Sequence, residues 1–321
     1  MQEIASSQEP EDLASIHSGL EKVCEISALL DFPFTLDEVA SYFLPGLKIT
    51  GQQLRSLLAR ADFVDIPFRI EHGYLLTRGT QSESLRLGRR RVSAAKLRSA
   101  AHFSQALRRM VPFIRTIAVT GSVAYGSAEK WDDIDLFVVT ERNRLWLSVF
   151  MAIISVRIWK LLRLRPPHLL SFCLSYVHDE RGFAEESLRN QANPLFAREL
   201  LMAEPVVGRD EYRELLEKND WVGKIYSNSY GLKMEYLERY PDGRDIALGR
   251  ERAAFAFALD WAEEVTFTLL SRYLRLRAYL TNLRLRSRRL ELRIFEPKIT
   301  RSSCVYTSNF YRWLQSLWGE M

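Results

Sequence analysis

The chain holds only three cysteines in 321 residues, Cys24, Cys173 and Cys304. They are odd in number, lie far apart and form no CxxC pair. That argues against a disulfide framework and a cysteine-built zinc site, and points to a reducing, cytoplasmic setting. The five histidines show no metal-ligand spacing, and no Ser/His/Asp or Cys/His nucleophilic set can be assigned. Long apolar runs are also missing. The longest charge-free stretch in the most membrane-like region, Leu145 to Val156, is about a dozen residues, whereas a span needs roughly 20. Arg157 and Lys160 interrupt it, so it reads as a buried core helix, not as part of an integral membrane protein. Met1 to Glu11 lacks the basic-then-apolar order of a signal peptide. There is no internal repeat and no low-complexity segment.

Apolar residues make up 47% and aromatics 12% of the chain, enough for more than one packed core. The net charge of +5 would not repel an anionic partner such as a nucleotide or nucleic acid. Residues 1–16 read as a flexible tail. Leu20, Val23, Ile26, Leu29 and Leu30 then recur at helical spacing until Asp31-Phe32-Pro33. Thr35 to Glu38 and Thr50 to Gln53 are capping boxes that open two further helices, and Glu71-His72-Gly73 suits a hairpin turn. Residues 17–80 thus read as a winged-helix-like domain, either binding DNA or docking on a protein surface. Residues 81–111 read as a linker helix whose basic run, Leu85 to Arg91, is a solvated face. Residues 112–205 hold a strand, a second strand from Asp133, a long apolar helix from Arg144 to Leu164 and a strand from Leu169 to Val177. That order suits a small mixed sheet with helices on one side. Beyond Glu180 the chain reads as mostly helical, with helices near Glu186–Met202, Asp210–Lys218, Gly249–Arg289 and Ser308–Trp318, and residues 206–321 read as a helical domain.

The chemistry lies in the second strand and the turn before it. Asp133 and Asp135 are two residues apart, so in a strand their carboxylates project from one face. Paired anions on a rigid element call for a cation. Magnesium, or manganese, binds one or two carboxylates together with substrate phosphates. Gly121-Ser122 ends the preceding strand. Glycine permits close backbone approach to a phosphate, and backbone N–H groups with the serine hydroxyl can donate to it. Ten residues, Val123 to Asp132, return the chain to the carboxylates.

Val119-Thr120-Gly121-Ser122, ten residues, then Asp133-Ile134-Asp135-Leu136 resembles the signature of the DNA polymerase β-type nucleotidyltransferase superfamily. The resemblance implies an α+β (α/β) palm-like mixed sheet, metal held by Asp133 and Asp135, and phosphates of a nucleoside triphosphate met by Gly121 and Ser122. It implies magnesium-dependent transfer of a nucleotide to an acceptor that the signature does not name (RNA, protein or small molecule). Many members of the superfamily carry a third carboxylate on a later strand. Leu169 to Val177 holds no acid, and Asp179, then Glu180, are the nearest substitutes. Without a third acid, a catalytically silent nucleotide-binding or regulatory module remains the alternative. Residues 271–290 add seven arginines and no acid. They read as an amphipathic helix with Leu274, Ala278 and Leu285 inward. Its basic face is either solvated, paired with acids such as those in Glu211–Glu217, in contact with a polyanion, which would make the chain a nucleic-acid-binding protein, or laid on lipid headgroups.

Overall fold

The computed structural model describes residues 5–60, 65–77, 82–161, 172–242 and 256–318. The chain opens with α1 (Ala5–Leu30), so the expected tail is helical from Ala5 onward, and Ile16 is already buried. There follow β1 (Phe34–Thr35), α2 (Leu36–Tyr42), α3 (Gly51–Leu58), β2 (Arg69–Glu71) and β3 (Tyr74–Leu76). Both capping boxes form: Thr35 with Glu38, and Thr50 with Gln53. The three short strands make an antiparallel sheet in the order β1-β3-β2. Ile16, Leu20, Val23, Phe32, Val39, Phe43 and Leu54 fill the core of this unit, and Leu195 and Leu314 from far along the chain close it.

Next comes α4 (Glu83–Met110), opened by a Ser82 cap. The basic run expected as a solvated linker face lies inside this helix and is solvated only in part: Leu87, Gly88, Arg90 and Arg91 are exposed, while Arg86 and Arg89 turn inward. Arg86 is fully buried; it donates to the Pro33 carbonyl at 2.6 Å and pairs with Glu38 at 2.5 Å. Its guanidinium also sits over the rings of Phe32 and Tyr74. Arg89 donates to the Leu30 carbonyl and pairs with Glu129. A long helix hides such residues because their acceptors come from elements distant in sequence.

The remaining elements in chain order are β4 (Ile114–Thr120), α5 (Gly121–Ala124), β5 (Ile134–Thr140), α6 (Leu145–Leu161), β6 (Phe172–Asp179), α7 (Glu180–Arg189), α8 (Pro194–Met202), β7 (Glu204–Val207), α9 (Arg209–Glu217), α10 (Trp221–Ile225), α11 (Ser227–Arg239), α12 (Ala256–Ser287), β8 (Phe295–Ile299), β9 (Ser303–Ser308) and α13 (Asn309–Trp318). Residues 169–171 of the expected third strand and 249–255 of the expected long helix lie outside the described residues. Among the described residues the strands form a six-stranded mixed sheet, β7-β4-β5-β6-β9-β8. Only the β5–β6 pair is parallel, joined through α6.

Two expectations are corrected here. Helices cover both faces of the sheet. Ile117, Val119, Ile134, Leu136 and Val138 pack on one face with α4, α6 and Leu274 of α12. Ala118, Phe137 and Val139 pack on the other with α7, α8 and α9. Near-continuous burial along β4 and β5 marks strands enclosed on both faces. The C-terminal region is also not wholly helical, because β9 pairs antiparallel with β6, and β8 with β9. The run Cys304-Val305-Tyr306-Thr307 suits a strand, and pairing with β6 completes it. Within the helical part, Glu263 of α12 accepts from the Trp146 and Leu147 backbone N–H groups at 2.8 Å each, satisfying the start of α6.

Candidate functional site

The register of β4 on β5 builds the site. Thr120 lies directly opposite Asp135. Gly121, the next residue, therefore begins its turn against the Asp135 carboxylate. Its φ is +66°, and a Cβ placed there would stand 2.6 Å from Asp135 Oδ2. Glycine is required on both counts, since other L-residues resist this conformation and the space is taken.

Asp135 is the second residue of β5 and half-buried. Asp133 precedes the strand and is exposed. The Ser175 hydroxyl of β6 donates to Asp135 Oδ1 at 2.5 Å. Burial pushes the Asp135 carboxyl up to about 6, against the Ser175 hydrogen bond, and the negative charges of Asp133, Glu199 and Asp132 add to the rise. A carboxyl crowded by other carboxylates gains from a nearby cation. The oxygen donors of Asp133 and Asp135 fit a hard divalent ion. No group of three or more His, Cys, Asp or Glu residues that could hold a metal ion occurs among the described residues.

The connecting loop is held from outside by one face of α4. Lys96 Nζ donates to the Glu129 carbonyl at 2.7 Å and to the Asp132 carbonyl. The Ala128 N–H donates to Ser93 Oγ at 3.1 Å, and Arg89 pairs with Glu129. Within the loop, Asp132 Oδ2 accepts from Ser122 Oγ at 3.0 Å and from the Glu129 N–H at 2.9 Å. The Ser122 hydroxyl is thus engaged by Asp132.

Residues 101–225 match the nucleotidyltransferase domain family. This segment is similar to a nucleotidyltransferase domain. It contains β4, β5 and their turn, and it takes in α4 from Ala101 onward. No curated protein and no solved structure gives a significant match to the chain.

Neither Cys173 nor Asp179 of β6 supplies a third acid beside Asp135. Cys173 lies opposite Asp135 in the β5–β6 ladder. Burial pushes its thiol up to about 11, with Asp135 and Asp133 adding to the rise, so it is neutral at pH 7. Asp179 is not the substitute. It pairs with Thr140 at the far end of the ladder, about 17 Å along the strand from Asp135. There its carboxylate caps α7, accepting from the Gly182 N–H at 2.7 Å and from the Asn143 N–H at 2.9 Å. Glu180 beside it pairs with Arg115 on the surface.

Sequence reasoning missed the layer behind the carboxylates. The carboxylate of Glu199 on α8 acts electrostatically on Tyr125, which follows the Gly121 turn, and burial raises both groups. Tyr176 of β6 packs edge-on against the ring of Tyr311 on α13, centroids 6.2 Å apart. The Arg198 guanidinium lies over Tyr125 at 5.2 Å and over Phe43 of the first unit at 4.4 Å. A charged pair, Arg198-Glu199, set between Leu195-Phe196-Ala197 and Leu200-Leu201 was the available signal. On the other side, Arg277 of α12 is close enough to Cys173 to oppose the rise of its thiol.

Proposed function

We propose that this nucleotidyltransferase domain moves a nucleoside monophosphate from a triphosphate to an acceptor, with a divalent magnesium or manganese ion. The apposition of Gly121 and Asp135, set by the Thr120–Asp135 pairing, carries this reading. In it, Gly121 and Ser122 meet the triphosphate and Asp133 and Asp135 hold the metal. Bound there, the ion would neutralise phosphate charge and polarise the phosphorus under attack. The chain's own contribution is position: β5 fixes the carboxylates, and α4 holds the turn through Lys96, Ser93 and Arg89. The acceptor oxygen or nitrogen attacks the α-phosphorus and pyrophosphate leaves. Arg277 places a fixed positive charge near the site, which favours an anionic substrate.

A second reading rests on one observation. The position opposite Asp135 is Cys173 and Asp179 is committed to a helix cap, so no strand acid stands ready to take the acceptor proton. A module that binds nucleotide without turning it over fits that geometry. We assign residues 17–80, with their helix–strand–helix–helix–hairpin order, to a winged-helix-like unit. The Arg198–Phe43 contact favours its docking on the catalytic domain 112–205.

Titration calorimetry with each of the four ribonucleoside triphosphates, with and without magnesium, tests the site. Magnesium-dependent binding by the wild type and its loss in Asp133→Ala is the expected result. Pyrophosphate release then separates transfer from silent binding. Metal-dependent binding retained by Asp133→Ala would remove the assignment.

A further inference from the structure

The α12 helix carries two apolar stripes where one was expected. The inner one, with Phe267, Leu270 and Leu274, packs on the main core. The outer one is Leu269, Tyr273, Leu276, Leu280 and Leu283, spaced four, three, four and three residues apart. That spacing puts all five on one helix face. They are 43% to 64% exposed. Trp261, nearer the helix start, is 65% exposed. By helical position Arg272 and Arg286 flank the stripe on one side, Arg277 and Arg284 on the other. Among the described residues these arginines form no ion pair with a carboxylate: Glu211 pairs with Arg108 and Glu217 with Arg213 instead. The neighbouring helix α6 adds exposed Phe150, Ile154 and Ile158 at four-residue intervals.

We propose that the outer face of α12 lies on an anionic lipid bilayer surface. The charge pattern chooses this occupant. A second copy meeting the stripe would bring arginine against arginine on both flanks, where paired helices place opposite charges. A nucleic acid would use the arginines and leave five large apolar side chains in water. An anionic bilayer takes both: the apolar stripe enters the headgroup–acyl boundary, and arginines on either side meet lipid phosphates. The helix lies on the surface and does not span it; no described helix is long and apolar enough to cross a membrane.

Flotation of the full-length protein tests this, using vesicles of phosphatidylcholine alone and of equal parts phosphatidylcholine and phosphatidylglycerol. The protein should float with the mixed vesicles, less so in high salt, and stay behind with the neutral ones. Leu276→Glu/Leu280→Glu should abolish flotation, and each of Arg272→Ala and Arg284→Ala should weaken it about fivefold. All four positions are exposed, so circular dichroism melts should match the wild type. Asp133→Ala should float normally, which separates this surface from the nucleotide site. No flotation with mixed vesicles overturns the proposal, as does undiminished flotation of the leucine variant. So does a dimer in lipid-free sedimentation that the leucine substitutions dissolve, which would assign the face to a second copy. Single-stranded RNA binding that survives those substitutions without any flotation would assign it to nucleic acid.

Discussion

Two arginine-rich stretches sit on two long helices of this protein and meet opposite fates. On α4, Arg86 and Arg89 turn inward and are paired with Glu38 and Glu129, and they tie the first unit and the signature loop to one rod. On α12, Arg272, Arg284 and Arg286 are exposed beside exposed leucines. Composition alone does not separate the two. What separates them is whether acids from other elements reach the helix. The α4 arginines serve architecture, and the α12 arginines remain available to a partner.

Substitution should expose the difference most strongly at Arg86. Arg86→Ala takes the donor from the buried Pro33 carbonyl and the nearer of two cations from Glu38, which keeps the Thr35 N–H and Arg90, and it should cost about 3–5 kcal/mol, read from the urea midpoint. An unchanged midpoint would make the buried pair ornamental.

Acid is a tempting second probe of the α4 pairs, but His178 supplies its own acid sensitivity. Burial lowers its pKa from 6.5 to about 4, and its Nδ1 bonds Ser303 between β6 and β9. Between those values the unfolded chain takes up a proton that the folded chain refuses. Stability therefore falls as pH drops from 6.5 toward 4, by up to about 3 kcal/mol. His178→Asn, which keeps the ring-side hydrogen bond, should flatten that part of the stability–pH curve and leave the α4 contribution visible. A curve as steep as the wild type's would place the acid sensitivity elsewhere.

Lys96→Met keeps the buried stem and removes the donor to two loop carbonyls. A loss of about 1–3 kcal/mol, together with weaker triphosphate binding, is expected. Unaltered binding would show that the loop holds itself. The smallest effect belongs to α12: Arg284→Ala should leave the melting temperature where it was, and a clear drop would bring that helix into the same class as α4.

The same contrast explains what could be read from the chain. Gly121, Ser122, Asp133 and Asp135 were legible because their spacing encodes a local event, one strand turning back on another. Both threonine capping boxes were legible for the same reason. The roles of Lys96, Arg86 and Glu199 were not, because each depends on groups tens of residues away: 33 for Lys96 to Glu129 and 48 for Arg86 to Glu38. Asp179 misled because alternation along β6 gave its face but not its distance from Asp135. The β8–β9 hairpin was hidden by the helices around it, although Val305-Tyr306-Thr307 carries strand-forming residues. The outer stripe of α12 was overlooked because Leu274, Ala278 and Leu285 already supplied an inner one.

The pairing of Thr120 with Asp135 makes the number of residues between glycine and aspartate a free variable. A ladder holds its two partners together however long the excursion that joins them. Extra residues at the exposed tip, around Lys130 and Trp131, would swell outward as slack and leave the two ends in place. Selection on such a turn can therefore rewrite its middle at will, while the apposition of Gly121 and Asp135 at its base stays constant.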